Sequence, residues 1–254
     1  MRWSAAPLRT LNVAAFLVLV AGNAWGAAGI AGGESIGVVA NRWPTFLLPA
    51  GWTFGIWSLI YVALGAFAVY QALPRDGARL AAERLGPLWC GTVVLNLAWL
   101  TAFSFSRFGI ALAVMAALLV SLILIFVRLD VGGKQAGPAE RWLVQVPFSL
   151  YLGWITVAFI VNTAQLLASL GWEGGPLAPR TWAIIMMAVA TGIAALFDVL
   201  RREWIVALVV AWALAGIGAR YQDQTVLVST AWGLAAGNVA LVIAMGVWRS
   251  VRAG

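Results

Sequence analysis

Histidine is absent from this 254-residue sequence, cysteine occurs once, and only 10% of the residues are charged. Zinc and haem enzymes usually take His or Cys ligands, so the composition argues against a metalloenzyme and predicts no metal site and no cofactor. The single Cys90 excludes a disulfide within the sequence and is typical of a small buried residue. No ionisable residue lies in the middle of a predicted apolar span, which argues against a proton-coupled pump. Asp198 comes closest, at the end of the sixth span, and is expected to be an interfacial charge beside Arg201 and Arg202.

Apolar residues make up 63% of the sequence, far more than in ordinary soluble domains. Apolar runs of about 17 to 25 residues recur along the chain, and each can cross a hydrocarbon core of about 30 Å as a helix. The sequence therefore predicts an all-α, polytopic bundle of eight membrane helices, of which the seventh is the shortest. The predicted spans are 10–29, 50–72, 86–105, 108–127, 142–169, 181–199, 204–219 and 225–247.

The basic residues are distributed unevenly between the two sides that eight spans create. Twelve fall on one side and four, Arg42, Arg107, Arg180 and Arg220, on the other, which accounts for all 16. The positive-inside rule then places both termini in the cytoplasm and predicts a multi-pass protein of a bacterial inner (cell) membrane. This topology explains the net charge of +7. No soluble basic module remains for nucleic acid, so the expected partner is the lipid bilayer.

Two segments bear on how the chain is processed and divided. Residues 1–28 form a first membrane helix or a cleaved signal peptide, because Arg2 and Arg9 precede an apolar stretch that ends in small residues. Both alternatives remain open. The Gly- and Pro-rich segment 171–180, GWEGGPLAPR, predicts a boundary between a front block of five helices, 1–170, and a C-terminal block of three, 171–254.

Three predicted helices each carry a stripe of aromatic residues that contains a polar group. Residues three and four positions apart lie on one face of a helix. Helix packing, the aromatic belt at the membrane surface and interhelical hydrogen bonds could account for single stripes. If the three helices converge on a cavity, the indoles could instead stack on a flat ligand that the amides orient. The stripes are Phe54, Trp57 and Tyr61 in the second span; Asn96, Trp99 and Phe103 in the third; and Tyr151, Trp154, Ala158 and Asn162, followed by Gln165, in the fifth.

The connection into the second span is rich in aromatic rings and prolines. Pro44 and Pro49 prevent that helix from extending back into the preceding loop. The loop 30–49 would then lie over the mouth of the bundle, with Trp43 available as a lid.

These residues resemble the tryptophan-rich sensory protein and translocator protein family (TspO, or the peripheral benzodiazepine receptor family). The stretch WPTFLLPAGWTFGIWSLIY, residues 43–61, is similar to the family's Trp followed by Pro-Pro-x-Trp-x-Phe-x-x-x-Trp-x-x-x-Tyr. NLAWLTAF is similar to its Asn-x-x-Trp-x-x-x-Phe element, and YLGWITVAFIVN to its Tyr-Leu-x-Trp-x-x-x-Ala-x-x-x-Asn element. Two positions depart from the pattern. Ala50 stands where the family usually has a second proline, and Pro147 lies three residues upstream of its usual place.

The resemblance implies a five-helix TspO-like core at residues 1–170, followed by an extension of about three transmembrane helices. It implies binding of porphyrins, haem-related tetrapyrroles or other flat hydrophobic ligands beneath the loop between the first two helices, for sensing or transport. Family members are often dimers, so a homodimer is expected. Carried over position by position, the implied ligand-binding residues are Trp43, Trp52, Trp57, Asn96, Trp99, Tyr151, Trp154, Ala158 and Asn162.

Two alternatives to a receptor or carrier remain open. The same residues could serve an enzyme that modifies porphyrin in light, or the aromatic stripes could only pack helices together in a structural membrane protein. No catalytic residue is predicted. In the eighth span, Ser229, Gly233 and Gly237 form a face of small residues, which suits helix packing or an oligomer contact.

Overall fold

A computed structural model describes residues 5–27, 29, 33–74, 76–133 and 136–252 of the chain. Three of the twelve basic residues in the topology argument, Arg2, Arg75 and Lys134, lie outside the described residues. Residues 1–4 and 28 of the alternative signal peptide lie outside them as well.

The described residues form helices and no strand, which confirms the predicted all-α bundle. A 3-10 turn, Gly51–Gly55, precedes the third α-helix, and a π-helical turn, Arg141–Gln145, precedes the eighth. The eleven α-helices are α1 (Ala5–Ala27), α2 (Ile36–Arg42), α3 (Ile56–Ala72), α4 (Asp76–Leu85), α5 (Leu88–Ser104), α6 (Phe108–Arg128), α7 (Pro138–Glu140), α8 (Val146–Ser169), α9 (Pro179–Arg201), α10 (Ile205–Arg220) and α11 (Thr225–Val251).

The eight predicted spans correspond to α1, α3, α5, α6, α8, α9, α10 and α11. By length and composition, six helical segments of the described chain can cross a membrane. The pair α4 and α5, bent by 55°, provides a seventh if it counts as one span, and α10 is a shorter apolar helix of 16 residues. These findings support an integral, multi-pass membrane protein.

The helix α4 lies where the sequence analysis places only a connection between spans. Asp76 in its first turn interacts favourably with the positive end of the helix dipole. Ala78, Ala81, Ala82 and Leu85 form its buried face, while charged residues on the opposite face lower its mean hydropathy below that of the membrane spans. The helix ends at Leu85, and the next residue, Gly86, has a φ of 54° in the left-handed region that glycine tolerates.

The eighth helix is the centre of the bundle. Within the segment Pro138–Ser169, 83% of an apolar stretch long enough to cross a membrane is buried by the rest of the chain. The corresponding share in the other five long segments is 22% to 33%. It packs against α3, α6, α9 and α10. The contact with α10 is close, because a Cβ added at Gly153 would lie 3.1 Å from the Cβ of Val209. The C-terminal helices therefore pack directly on the helix that carries the third aromatic stripe.

The face of α11 formed by Ser229, Gly233 and Gly237 points away from the other described helices. A Cβ added to Gly233 or Gly237 would have no atom within 4 Å, and Ser229 is exposed. Asn238 is buried instead and donates a hydrogen bond to the Thr191 hydroxyl of α9 at 3.3 Å. This face therefore does not serve helix packing within the described residues.

Two buried ion pairs join helices at the end of the bundle where α9 and α11 finish. Arg141 contacts the Glu203 carboxylate at 2.5 Å, and Arg249 contacts the Asp198 carboxylate at 2.8 Å. Both acidic side chains are fully buried, at 0% exposure. A Glu203 oxygen also accepts the backbone N–H of Ile205 at 3.1 Å, which satisfies a free donor at the start of α10.

Asp198 differs from its expected setting as an interfacial charge beside Arg201 and Arg202. Its partner is Arg249 of α11, whereas Arg201 turns toward α6 and pairs with Asp130 at 3.2 Å. The reason is long-range packing, since α11 returns along α9 and brings a third arginine to the buried side of Asp198.

Replacement of Arg141 by methionine should destabilise the fold strongly. The Arg141→Met variant leaves the Glu203 carboxylate buried without its counter-charge, and the loss of one partner of such a pair costs about 3 kcal/mol or more. The measurement is thermal unfolding of the purified protein in detergent micelles. Arg79→Met is the matched control, because Arg79 meets Glu83 at 3.9 Å on an exposed surface. Equal melting temperatures for both variants would contradict this role of the buried pair.

Candidate ligand-binding site

A cavity of about 540 Å³ lies inside the front part of the bundle. Residues of α1, α3, α5, α6 and α8 form its walls, and residues 33–55, here called the cover, lie over it. The cover consists of α2, the following loop and the 3-10 turn. The volume falls within the range of about 300 to 1,000 Å³ that is usual for small-molecule pockets.

Aromatic rings form much of the cavity wall and hold one another in place. Trp154 of α8 meets Phe54 edge-on at a centroid distance of 5.8 Å and Trp57 at 6.5 Å. Trp57 also stacks on Tyr61 at 5.5 Å. Such pairs each contribute about 0.5 to 1.5 kcal/mol beyond burial, so the rings are preorganised. The six aromatic residues that line the cavity are Phe54, Trp57, Tyr61, Trp99, Phe103 and Trp154.

The amide of Asn162 fixes the orientation of one of these rings. Its oxygen accepts a hydrogen bond from the Trp99 indole N–H at 3.1 Å, which joins α5 to α8. Its nitrogen donates to the carbonyl of Ala158, one turn earlier, at 2.9 Å. Asn162 thus satisfies its own polar atoms and positions Trp99 against the cavity.

A second pair of amides joins α1 to α5. The Asn23 nitrogen donates to the Asn96 oxygen and to the Leu19 carbonyl, both at 2.8 Å. Asn23 lines the cavity, whereas Asn96 lies behind it and is fully buried. At the cover, the Gln165 amide donates to the Ala40 carbonyl of α2 at 3.1 Å. Amides close to the cavity therefore connect α5 and α8 to their neighbours.

The helix α10 holds the cover in place through main-chain atoms of the cover. The Trp212 indole donates to the Thr53 carbonyl at 2.9 Å, and the Tyr221 hydroxyl, just after α10, donates to the Thr45 carbonyl at 2.5 Å. The Ala50 N–H donates to the Gly216 carbonyl at 3.0 Å. These contacts bring a C-terminal helix to the edge of the cavity.

The hydrogen bond from the Ala50 N–H to the Gly216 carbonyl explains why position 50 departs from the Pro-Pro pattern described above. Proline has no N–H, so a second proline at position 50 could not donate to the Gly216 carbonyl. Gly216 also has to be small. A Cβ at that position would lie 2.0 Å from the Thr53 hydroxyl oxygen and 3.0 Å from the Pro49 Cβ. Ala50 and Gly216 together permit the close contact between the cover and α10.

The structure places the nine expected site residues in different settings. Asn96 and Tyr151 are buried in a second layer, where the Tyr151 ring lies 5.9 Å from Trp57. Trp52 is 48% exposed and packs edge-on against Trp212 at 4.7 Å, outside the cavity. The residues that line the cavity are Trp57, Trp99, Trp154, Ala158 and Asn162.

Trp43, expected as a lid, is half-buried against the core and does not line the cavity. It caps the C-terminal end of α2, a seven-residue helix within the segment that was expected to be a loop. The cover instead presents Ile36, Ala40, Leu48 and Pro49 to the cavity.

Five polar lining residues were not among the nine predicted site residues. Tyr61 and Gln165 belong to the aromatic stripes of the sequence analysis, whereas Asn23, Asn41 and Arg220 do not. The sequence does contain a pattern that indicates an inward position for Asn23. Asn12 and Asn23 are separated by about three helical turns and therefore lie on the same face of α1. Both are buried. No local pattern identifies Arg220, which reaches the cavity only because α10 packs beside the cover.

Comparison with protein families matches the chain to a family described as TSPO-like protein, over residues 9–245. The matched range runs past residue 170 and includes α9, α10 and most of α11. Comparison with curated proteins and with solved structures gives no match.

Substitution of Gly216 by alanine should loosen the cover. The new methyl group would collide with Thr53 and Pro49 and push the cover away from α10. We expect a lower melting temperature for Gly216→Ala and faster amide hydrogen exchange across residues 45–55. Gly237→Ala is the matched control, since its Cβ meets no atom within 4 Å and alanine is favoured over glycine in a helix by about 1 kcal/mol. Unchanged exchange in Gly216→Ala would contradict the close contact.

Proposed function

This chain belongs to the TSPO-like protein family, and we propose that it binds a flat hydrophobic ligand of the porphyrin or tetrapyrrole class, for sensing or transport. The observation that supports the proposal is the aromatic cavity beneath the cover. Its volume, about 540 Å³, is large enough for a small molecule, and its wall combines six aromatic rings with a few neutral amides.

The amides support binding by stacking and shape. Asn162 and Asn23 form hydrogen bonds with neighbouring helices, so their main effect is to fix the positions of the rings and helices around the cavity. A rigid aromatic wall loses little conformational entropy when it receives a planar guest. If the stripes only packed the helices together, α3, α5 and α8 would leave no cavity between them.

Trp154 offers the sharpest test of ligand binding, because it contacts both Phe54 and Trp57. We expect protoporphyrin IX, titrated in the dark, to quench the tryptophan fluorescence in a saturable manner. In Trp154→Leu the affinity should fall about tenfold, since the ligand loses a stacking surface worth roughly 1.4 kcal/mol.

Trp248→Leu is the matched control for this titration. Trp248 is 48% exposed near the end of α11, contacts Arg252 and is absent from the cavity wall. Its substitution should leave the affinity unchanged. Quenching without saturation, or equal affinities for both variants and the parent protein, would reject the cavity as the porphyrin site.

We also propose that the cover faces away from the cytoplasm of a bacterial cell. The four arginines that the topology argument assigns to the outer side include Arg42 and Arg220, which lie at the cover. The ion pairs of Arg141 and Arg249 lie at the opposite end. A cavity that opens beneath the cover would then receive its ligand from the outer leaflet or the periplasmic side.

Cysteine labelling on spheroplasts tests this orientation. In a Cys90→Ala background, Glu173→Cys places an exposed thiol between α8 and α9, and Glu83→Cys places one on the exposed face of α4 at the other end. A membrane-impermeant maleimide should label Glu173→Cys in intact spheroplasts and Glu83→Cys only after lysis. The reverse pattern would place the cover in the cytoplasm.

A further inference from the structure

Arg220 is the one charged side chain among the described residues that line the cavity. It lies at the last position of α10 and reaches the cavity beside the cover. The other polar lining groups are the neutral amides of Asn23, Asn41, Asn162 and Gln165 and the Tyr61 hydroxyl. The cavity therefore has a cationic mouth and a neutral, aromatic interior.

The contacts of the Arg220 guanidinium are all with neutral acceptors. Its Nη1 donates to the Pro49 carbonyl at 3.3 Å, and its Nη2 donates to the Asn41 side-chain oxygen at 2.7 Å. The group also lies 5.7 Å from the centre of the Tyr221 ring. A guanidinium has five N–H donors, so these two hydrogen bonds leave donors available for a ligand.

Arg220 differs in this respect from Arg141 and Arg249, which are also half-buried. Arg141 and Arg249 each pair with a fully buried carboxylate. Among the described residues no carboxylate lies within 4 Å of the Arg220 guanidinium. Glu34, an acid of the cover, pairs with Arg42 at 2.5 Å. A partly desolvated cation without a counter-ion is costly, and an anion supplied by a ligand would remove that cost.

We propose that Arg220 binds an anionic group of the ligand, so that the cavity selects planar hydrophobic molecules with a carboxylate at one edge. This proposal rests on the proposed function and specifies the ligand class for the same cavity. A guanidinium matches a carboxylate with two parallel, charge-assisted hydrogen bonds. The apolar body would lie deeper, between Trp57, Trp99 and Trp154, while the carboxylate remains at the mouth beside Asn41.

The experiment compares two ligands that differ only in this anionic group: protoporphyrin IX, which carries carboxylates, and its neutral dimethyl ester. Binding to the full chain in nanodiscs of zwitterionic phosphatidylcholine, which excludes anionic lipid headgroups, is measured in the dark by tryptophan quenching. In Arg220→Met the affinity for the diacid should fall about tenfold, and the affinity for the diester should stay within about twofold. The change in the ratio of the two affinities cancels any difference in how the ligands partition into lipid.

Arg180→Met is the matched control. Arg180 also lies at the cover end of the bundle and donates to a neutral acceptor, the Gln224 side-chain oxygen, at 3.3 Å, but it does not line the cavity. Its ratio of diacid to diester affinity should equal that of the parent protein. Arg220→Lys retains the charge and should retain part of the preference for the diacid.

Each other outcome identifies what has failed. If Arg220→Met weakens both ligands equally, or neither, while the parent binds both saturably, Arg220 only holds the cover and this proposal is overturned alone. If the parent binds neither ligand saturably, the proposed function fails and this proposal fails with it. If Arg220→Met unfolds, the comparison is made with Arg220→Lys and Arg220→Gln, and equal ratios in these two would overturn the proposal.

Discussion

Hydrogen bonds from side-chain amides hold the helices around the cavity, and the rest of the site depends on them. Hydrocarbon offers no partner to a polar group, so each amide at membrane depth has to find one within the chain. The Asn23 amide donates to Asn96 between α1 and α5, and Asn162 accepts the Trp99 indole N–H between α5 and α8. Because these bonds fix helix positions without filling the space between the helices, a cavity can persist inside an otherwise packed bundle.

The C-terminal helices contribute to the same site. Through Trp212, Gly216 and Arg220, α10 contacts the cover, and through Val209 it packs on α8 opposite Gly153. The family match extends through this region as well. The front block alone would therefore lack both the attachment of the cover and the one cation found among the described lining residues.

Much of this arrangement could be predicted from the sequence, because it depends on local periodicity. Apolar run lengths predicted the positions of eight apolar helices, of which six to seven are long enough to cross a membrane. Spacings of three and four placed Trp57, Trp99 and Trp154 on inward faces. The structure differs from the sequence-based expectations where distant segments meet. Trp52 packs on Trp212 outside the cavity, and Asp198 finds Arg249 instead of its sequence neighbours. The position of Arg220 likewise depends on how α10 packs, which no short stretch of sequence records.

The attachment of the cover to α10 and Tyr221 uses backbone atoms of the cover: the carbonyls of Thr45, Pro49 and Thr53 and the N–H of Ala50. Most side chains of the cover are consequently not needed for these bonds. Substitutions at Ile36, Leu48 or Phe54 would change the shape of the cavity, while the cover would remain attached to α10. The shape of the cavity can therefore diverge through a few substitutions within one short segment of the chain.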